Sequence, residues 1–331
     1  MKLALSRCTL LLACVACSLP AAAFADGARD WLKRMETAVE SLSYEGTFVH
    51  MVGNRMETMH VIHRRVDGDV AERLFSLDQP GREILRHNDR VTCIFADQRT
   101  VLVERRRGDR GTPLISSFAS GTGEADQWYE FREAGTGHKL GRVVRVIEIR
   151  PHDSYRYGHR LWLDEATAMP LKVQLLDEDG GAVEQIQFVS MLMSAEISDA
   201  RLQPDVEIDG FTWYKHDQPR NAFDTDSESA AWVLEDPPPG FRLTQSRVRT
   251  LPGADHPVEH LVFSDGLASV SVFVEPTNEA DGTLAGLSRM GAAHAFTLTL
   301  DGQQITAVGE VPPGTVQRIA RSLQPAAVAR Q

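Results

Sequence analysis

Turn-forming residues recur in this chain at short, even intervals, and each interval is filled by an alternation of apolar and polar side chains. Residues 44–52, 56–65, 70–77, 82–86, 90–95 and 101–105 read as strands, separated by Gly53-Asn54, Asp67-Gly68, Gln79-Pro80-Gly81, Asn88-Asp89 and Ala96-Asp97. A period of two puts alternate side chains on opposite faces of a ribbon, and tight turns join antiparallel neighbours, so the pattern predicts an antiparallel meander. A polar stretch at 106–123 interrupts it, and strands resume at 141–150, 157–163, 171–176 and 183–191. Ahead of the meander, "GARDWLKRMETAVESL" at 27–42 sets Trp31, Met35, Ala38 and Leu42 at helical spacing. Leu32 and Val39 widen that stripe and Asp26 is placed as N-cap. The fold class expected is therefore mostly β with few helices.

The N-terminus, "MKLALSRCTLLLACVACSLPAAAFAD", carries Lys2 and Arg7, then an apolar run, then Ala23-Phe24-Ala25 before Asp26. This is the layout of a secretory signal peptide over 1–25, and the run is too short and too broken by Pro20 for a membrane span. Leu12 ahead of Cys14, and the lack of a leucine three residues before Cys17, disfavour lipidation at either cysteine. Cleavage would remove Cys8, Cys14 and Cys17 and leave Cys93 alone, so packing rather than a disulfide must hold the mature chain. The lone thiol reads as a core residue of the alternation "RVTCIF". Removing Lys2 and Arg7 from 35 basic residues leaves 33 against 46 acidic ones, a balance of −13 that argues against bulk nucleic-acid binding. The mature chain is expected in an exported compartment, as a soluble protein.

The order of the chain suggests two units. The first runs over 26–212, a polar connection over 213–231, and a second, smaller unit over 232–325. That second unit again reads as strands, with hairpin turns at Asp265-Gly266 and Asp301-Gly302, and ends on a helix from Gly314 to Leu323 between Pro313 and Pro325.

Three histidines in "SYEGTFVHMVGNRMETMHVIHR" raise the question of a metal site. With Gly53-Asn54 at a hairpin tip, Val52 faces Arg55, His50 faces Glu57, Phe48 faces Met59, Thr47 faces His60 and Tyr44 faces His63. His60 then points away from His50 and His63, which share a face but stand six residues apart, roughly 20 Å at about 3.3 Å per residue. Ligands that must all reach one ion at about 2 Å cannot do so from there, and no metal or cofactor is expected. Both faces of this hairpin are apolar, which calls for a cover on each side. A closed sandwich core and a curved half-barrel with an apolar hollow both satisfy that.

No set of nucleophile, base and orienting group assembles, so no enzyme activity is expected. "GLSRMG" at 286–291 has the wrong spacing for a nucleophile elbow and helix-like surroundings. "GTGHKLG" at 135–141 lacks the lysine–hydroxyl pair of a phosphate loop. His256 and His260 are split by Pro257, "RGD" at 107–109 sits in a charged stretch, and Asp177, Glu178 and Asp179 crowd a glycine turn. Two groups suit a lipid. Trp31, Met35, Phe48, Met59, Val61, Leu102, Trp162 and Leu163 are candidate walls for an acyl chain. Arg105, Arg106 and Arg107, with Arg110 close by, are candidate binders of an acidic head group.

The stretches "WLKRMETAVESLSYEGTFVH", "METMHVIHR", "ERLFSLDQPGREILRHNDRVTCIFAD", "YRYGHRLWLDEATAMPLKVQLLDEDGGAVEQIQFVSM", "PPGFRL" and "EHLVFSDGLASVSVFVE" resemble the MucB/RseB family, regulators of sigma-E-type (AlgU-type) envelope stress responses. The block "LWLDEATAMPLKVQLLDEDG" is also similar to the lipoprotein carriers LolA and LolB. The resemblance implies a LolA-like antiparallel half-barrel holding helices, followed by a smaller α+β unit. It implies a partner, the periplasmic region of a MucA/RseA-type anti-sigma factor, shielded from site-1 proteolysis until lipopolysaccharide or another acyl lipid releases it. A periplasmic lipid or lipoprotein carrier is the alternative that the LolA likeness implies, and a homodimer is left open.

Overall fold

The computed structural model describes residues 22–78, 82–105, 123–193, 196–216, 232–250, 256–277 and 285–326. The first unit opens with α1 (Ala22–Ser41). One meander follows: β1 (Tyr44–Val52), β2 (Arg55–Val66), β3 (Asp69–Ser76), β4 (Arg82–His87), β5 (Arg90–Phe95) and β6 (Thr100–Arg105). A second contains β7 (Tyr129–Lys139), β8 (Arg142–Pro151), β9 (Gly158–Asp164), β10 (Pro170–Leu176) and β11 (Ala182–Met193), after which the chain returns as β12 (Thr212–His216). All twelve strands form one sheet in the order β12-β6-β5-β4-β3-β2-β1-β11-β10-β9-β8-β7. The two meanders join along β1 and β11, and only β12 on β6 is parallel.

The Gly53-Asn54 turn fixes the β1–β2 register as the sequence predicts: Val52 pairs with Arg55, His50 with Glu57, Phe48 with Met59 and Tyr44 with His63. Gly53 sits at φ +58°, a conformation that glycine adopts at no steric cost. The predicted strands of both meanders recur within a few residues of their expected limits. α1 lays Ala28, Leu32, Met35 and Val39 on one face of the sheet, the inner face, against Tyr44, Phe48, Val61, Leu161, Leu163 and Phe188.

The second unit pairs β13 (Trp232–Leu234) with β20 (Leu323–Pro325). Its main sheet holds β14 (Arg242–Thr250), β15 (Pro257–Ser264), β16 (Ser269–Pro276), β17 (Gly286–Met290), β18 (Ala293–Leu300) and β19 (Gln303–Gly309), in the order β14-β15-β16-β19-β18-β17. α2 (Pro313–Ser322) packs Val316, Ile319 and Ala320 onto Leu261, Phe263, Val272 and Ile305. Proline at its first position needs no N–H partner there, which is why the helix starts where the Pro312-Pro313 pair predicts.

Four elements differ from the sequence expectation. α1 begins at Ala22, because the alanine-rich stretch ahead of Asp26 continues the helix; Asp26 lies inside it, not at its cap. β7 was not among the expected strands. Its glycines break the alternation, and a bulge between Glu133 and Gly135 shifts its register against β8. Residues 286–290 form an exposed edge strand rather than helix-like structure, because Gly291, at φ +68°, turns the chain back onto β18. Residues 213–216, expected in the connection, belong to β12; residues 217–231 lie outside the described residues.

The chain supplies only part of the second cover expected over the hairpin: it reaches Ile62, while Met51 and Met56 near the tip stay 38 % and 67 % exposed. Ile197 and Leu202 pack on Ile62 and Ala71, and Ile208 and Phe211 pack on Ile94, Val101 and Val103, all on the outer face of the first meander.

Candidate functional site at the inner sheet face and the seam between units

Exposure on the inner face rises from the junction of the meanders toward β12. Val61 is 1 % exposed and Leu74 8 %, Ile84, Cys93 and Leu102 are half-buried, and Tyr214 is 52 % exposed. These residues are successive cross-strand partners, from β2 through β3, β4, β5 and β6 to β12, so they form one row across the sheet. Half-buried Met59, Met191 and Met193 lie beside it against the core. These methionines sit at the closed end of the face, on β2 and β11, whereas the side chains left half-exposed toward β12, its open end, are Ile84, Cys93 and Leu102.

The expected wall residues divide accordingly. Met35, Phe48, Val61 and Leu163 are at most 1 % exposed and belong to the closed core. Leu102 lies in the open row, and Met59 beside its closed end. Trp31 is half-buried against the core on the β8 side, between Arg34 at 4.0 Å and Arg145 at 5.9 Å, and does not border the open row. Trp162 is on the opposite, outer face, because it neighbours Leu161 and Leu163 in β9 and successive strand residues alternate. Arg105 ends β6 and is exposed, while Arg106, Arg107 and Arg110 lie outside the described residues. Surface grooves of about 400 to 630 Å³ occur along the exposed side of α1, beside α2 and at two strand ends, and the expected wall residues line none of these. No cluster suited to a metal ion occurs among the described residues.

The seam between the units is the feature sequence reasoning missed. Arg156 and Asp265, both with fully buried side chains, form an ion pair at 3.0 Å. Asp153 adds a second carboxylate at 3.1 Å, and the Pro239 carbonyl accepts from the same guanidinium. Tyr129 donates its hydroxyl to Asp265 at 2.9 Å, while the Leu267 and Ala268 amides donate to the other carboxylate oxygen. Burial and the Asp265 charge push the Tyr129 phenol well above its ordinary value, so it stays a donor. The guanidinium lies 5.3–5.4 Å from the rings of Trp128, Tyr129 and Phe241. Trp128 packs on Gly240, where a Cβ would come within 2.5 Å of the indole; only glycine fits, and its φ of +83° suits glycine as well. Thr315 donates to the Tyr155 carbonyl at 2.6 Å, tying α2 to the first unit.

A second flank of the seam is titratable. His50 meets Glu184 at 2.7 Å, and this hydrogen bond raises the imidazole above its ordinary 6.5 against the opposing effect of burial. Glu310, from the segment just before α2, is raised by the packing around its carboxyl and by the Glu184 charge, although the residue keeps an exposed edge. A group raised in the folded state stabilises it fully below the unfolded pKa and loses that contribution as pH rises through the folded one. His50→Ala is therefore expected to lower the urea midpoint more below pH 6.5 than well above it. Equal losses at both would show that the His50–Glu184 pair gives stability no pH dependence.

Two family models match, "MucB/RseB N-terminal domain" over residues 27–206 and "MucB/RseB C-terminal domain" over 226–324. The "Sigma factor AlgU regulatory protein MucB" of Pseudomonas aeruginosa is 35 % identical over 95 % of this chain and 96 % of its own length. The "Sigma-E factor regulatory protein RseB" of Salmonella typhimurium is 30 % identical over 88 % and 89 %. Among solved structures, MucB in the P. aeruginosa MucA/MucB complex matches with a TM-score of 0.68 at 32 % identity, covering 91 % of this chain and all of that one. A further crystal structure of MucB matches with a TM-score of 0.58 at 31 % identity, over 91 % of this chain and 98 % of that one. Two matched family models in order, and an identity above the level at which full-length likeness is accidental, make this chain a member of the MucB/RseB family.

Proposed function

We propose that the protein is a periplasmic regulator that holds the periplasmic region of a MucA/RseA-type anti-sigma factor. By holding it, the protein shields it from site-1 proteolysis, and an acyl lipid such as lipopolysaccharide releases it. The observation that carries this reading is the likeness, across both units, to MucB solved with the periplasmic part of MucA, at TM-scores of 0.68 and 0.67. The relatives are named as regulatory proteins, and no catalytic role is assigned to any residue here. The signal-like N-terminus accounts for export, and no helix among the described residues is long and apolar enough to cross a membrane.

The lipid would enter at the open end of the inner face, against Ile84, Leu102 and Tyr214. Each buried CH₂ contributes about 0.8 kcal/mol. Moving a two-state equilibrium from almost wholly closed to almost wholly open needs about 5.5 kcal/mol of differential affinity, within the range of one or two acyl chains. A carrier of LolA type would need no second unit tied on by a buried ion pair, and Arg156–Asp265 favours the regulator. The test is cleavage of the cognate anti-sigma segment by its site-1 protease. Protection by the protein is expected, and cleavage at the unprotected rate would refute the shield.

A further inference from the structure

The outer face of the β7–β10 region carries a charge opposite to that of the chain as a whole. Cross-strand pairing puts Arg132, Lys139, Arg142, Arg150, Arg160 and Lys172 on this face, against Glu130, Glu148 and Asp164. Glu148 absorbs three of the six cations: the Nε atoms of Arg132, Arg150 and Arg160 donate to it at 2.8–2.9 Å. Arg142 reaches Asp164 at 3.7 Å. Lys139 and Lys172 instead flank the Trp162 ring, at 5.9 and 4.6 Å, and no acidic partner stands beside either among the described residues. Lys172 is lowered by burial and then by the charges of Lys139 and Arg160, the sign of a surface short of anions.

The hairpin tip beside these lysines is apolar. Leu140, in the turn after Lys139, is 38 % exposed, while Val143, 41 % exposed, alternates onto the opposite face. Leu140 also adopts φ +52°, a left-handed turn position that glycine or asparagine would fill at less cost. This leucine keeps over a third of its surface in water, and does so at a conformational cost. An indole between two lysines, beside a protruding aliphatic tip, has the composition of a surface that sits in a bilayer interface, with rings and aliphatic groups at head-group depth and ammonium groups on phosphates.

We propose that this outer face, centred on Lys139, Leu140, Trp162 and Lys172, docks onto an anionic phospholipid bilayer. The face is separate from the inner-face row and does not depend on the anti-sigma reading. Docking would hold the protein at a membrane surface before any protein partner is engaged, raising its effective concentration there.

The test is co-sedimentation of the protein, recovered from the exported fraction, with phosphatidylcholine vesicles with and without phosphatidylglycerol. Binding only to the phosphatidylglycerol vesicles, weakened by added salt, is expected. Lys139→Gln with Lys172→Gln should weaken it about 30-fold, from the loss of two basic residues at the surface. Both side chains are at the surface, so an unchanged thermal melt will show that the fold is kept. Brominated lipid should quench Trp162, and Trp162→Phe should remove that quenching. Equal binding to neutral vesicles, no binding to either, or full binding by the double variant would overturn the proposal.

Discussion

Arg156→Ala is expected to lower stability by about 3–5 kcal/mol, the range seen when one partner of a buried ion pair is removed and the other stays buried. Asp265 would keep its Tyr129 and amide donors but lose its counter-charge in a site closed to water. In a chain of this size such a loss shifts the melting temperature by on the order of 10 °C. Because Arg156 belongs to the first unit and Asp265 to the second, the loss should also separate their unfolding. Calorimetry should resolve two transitions in the variant. Arg156→Lys should not rescue it, since one ammonium cannot serve Asp265, Asp153 and the Pro239 carbonyl while stacking among three rings. A lysine variant as stable as the parent would contradict this account of the seam.

The second large effect separates core from candidate wall on the same sheet face. Phe48→Ala should cost about 3–5 kcal/mol, because the ring is 1 % exposed and packs on Phe188 at 5.4 Å, so its loss leaves a cavity. Leu102→Ala removes a half-buried side chain and should cost about 1 kcal/mol or less, in proportion to the area it loses. Urea midpoints check both. Lipid affinity should move the other way round: Leu102→Ala should weaken it in the folded protein. If Leu102→Ala proves as destabilising as Phe48→Ala, the open end of the face is core and offers no room to a lipid.

What could be read from the sequence followed its local signals. The β1–β2 register came from one glycine turn, and α2 from prolines at both ends, because these act over a few residues. The division of the candidate walls did not, because Trp162 and Leu163 are both large and apolar, and alternation says only that they face opposite ways. Which one faces the core depends on the register of β9 with its neighbours, and that is set elsewhere in the sheet. The outer cover over β2–β6 came from residues 196–211, a stretch without periodicity. The seam was invisible for a related reason: Tyr129 and Asp265 are 136 residues apart and meet only when both units are folded. Buried polar pairs between units leave no pattern in sequence, since each partner alone looks like a solvated charge.

The central claim is a protein grip loosened by lipid. Calorimetric titration of the cognate anti-sigma periplasmic segment into this protein, with and without saturating lipopolysaccharide, tests it most directly. The account predicts a complex in the absence of lipid, weaker binding in its presence, and a lipid affinity reduced by the same factor once the segment is bound, because linkage is reciprocal. Identical affinities in the two titrations would contradict it.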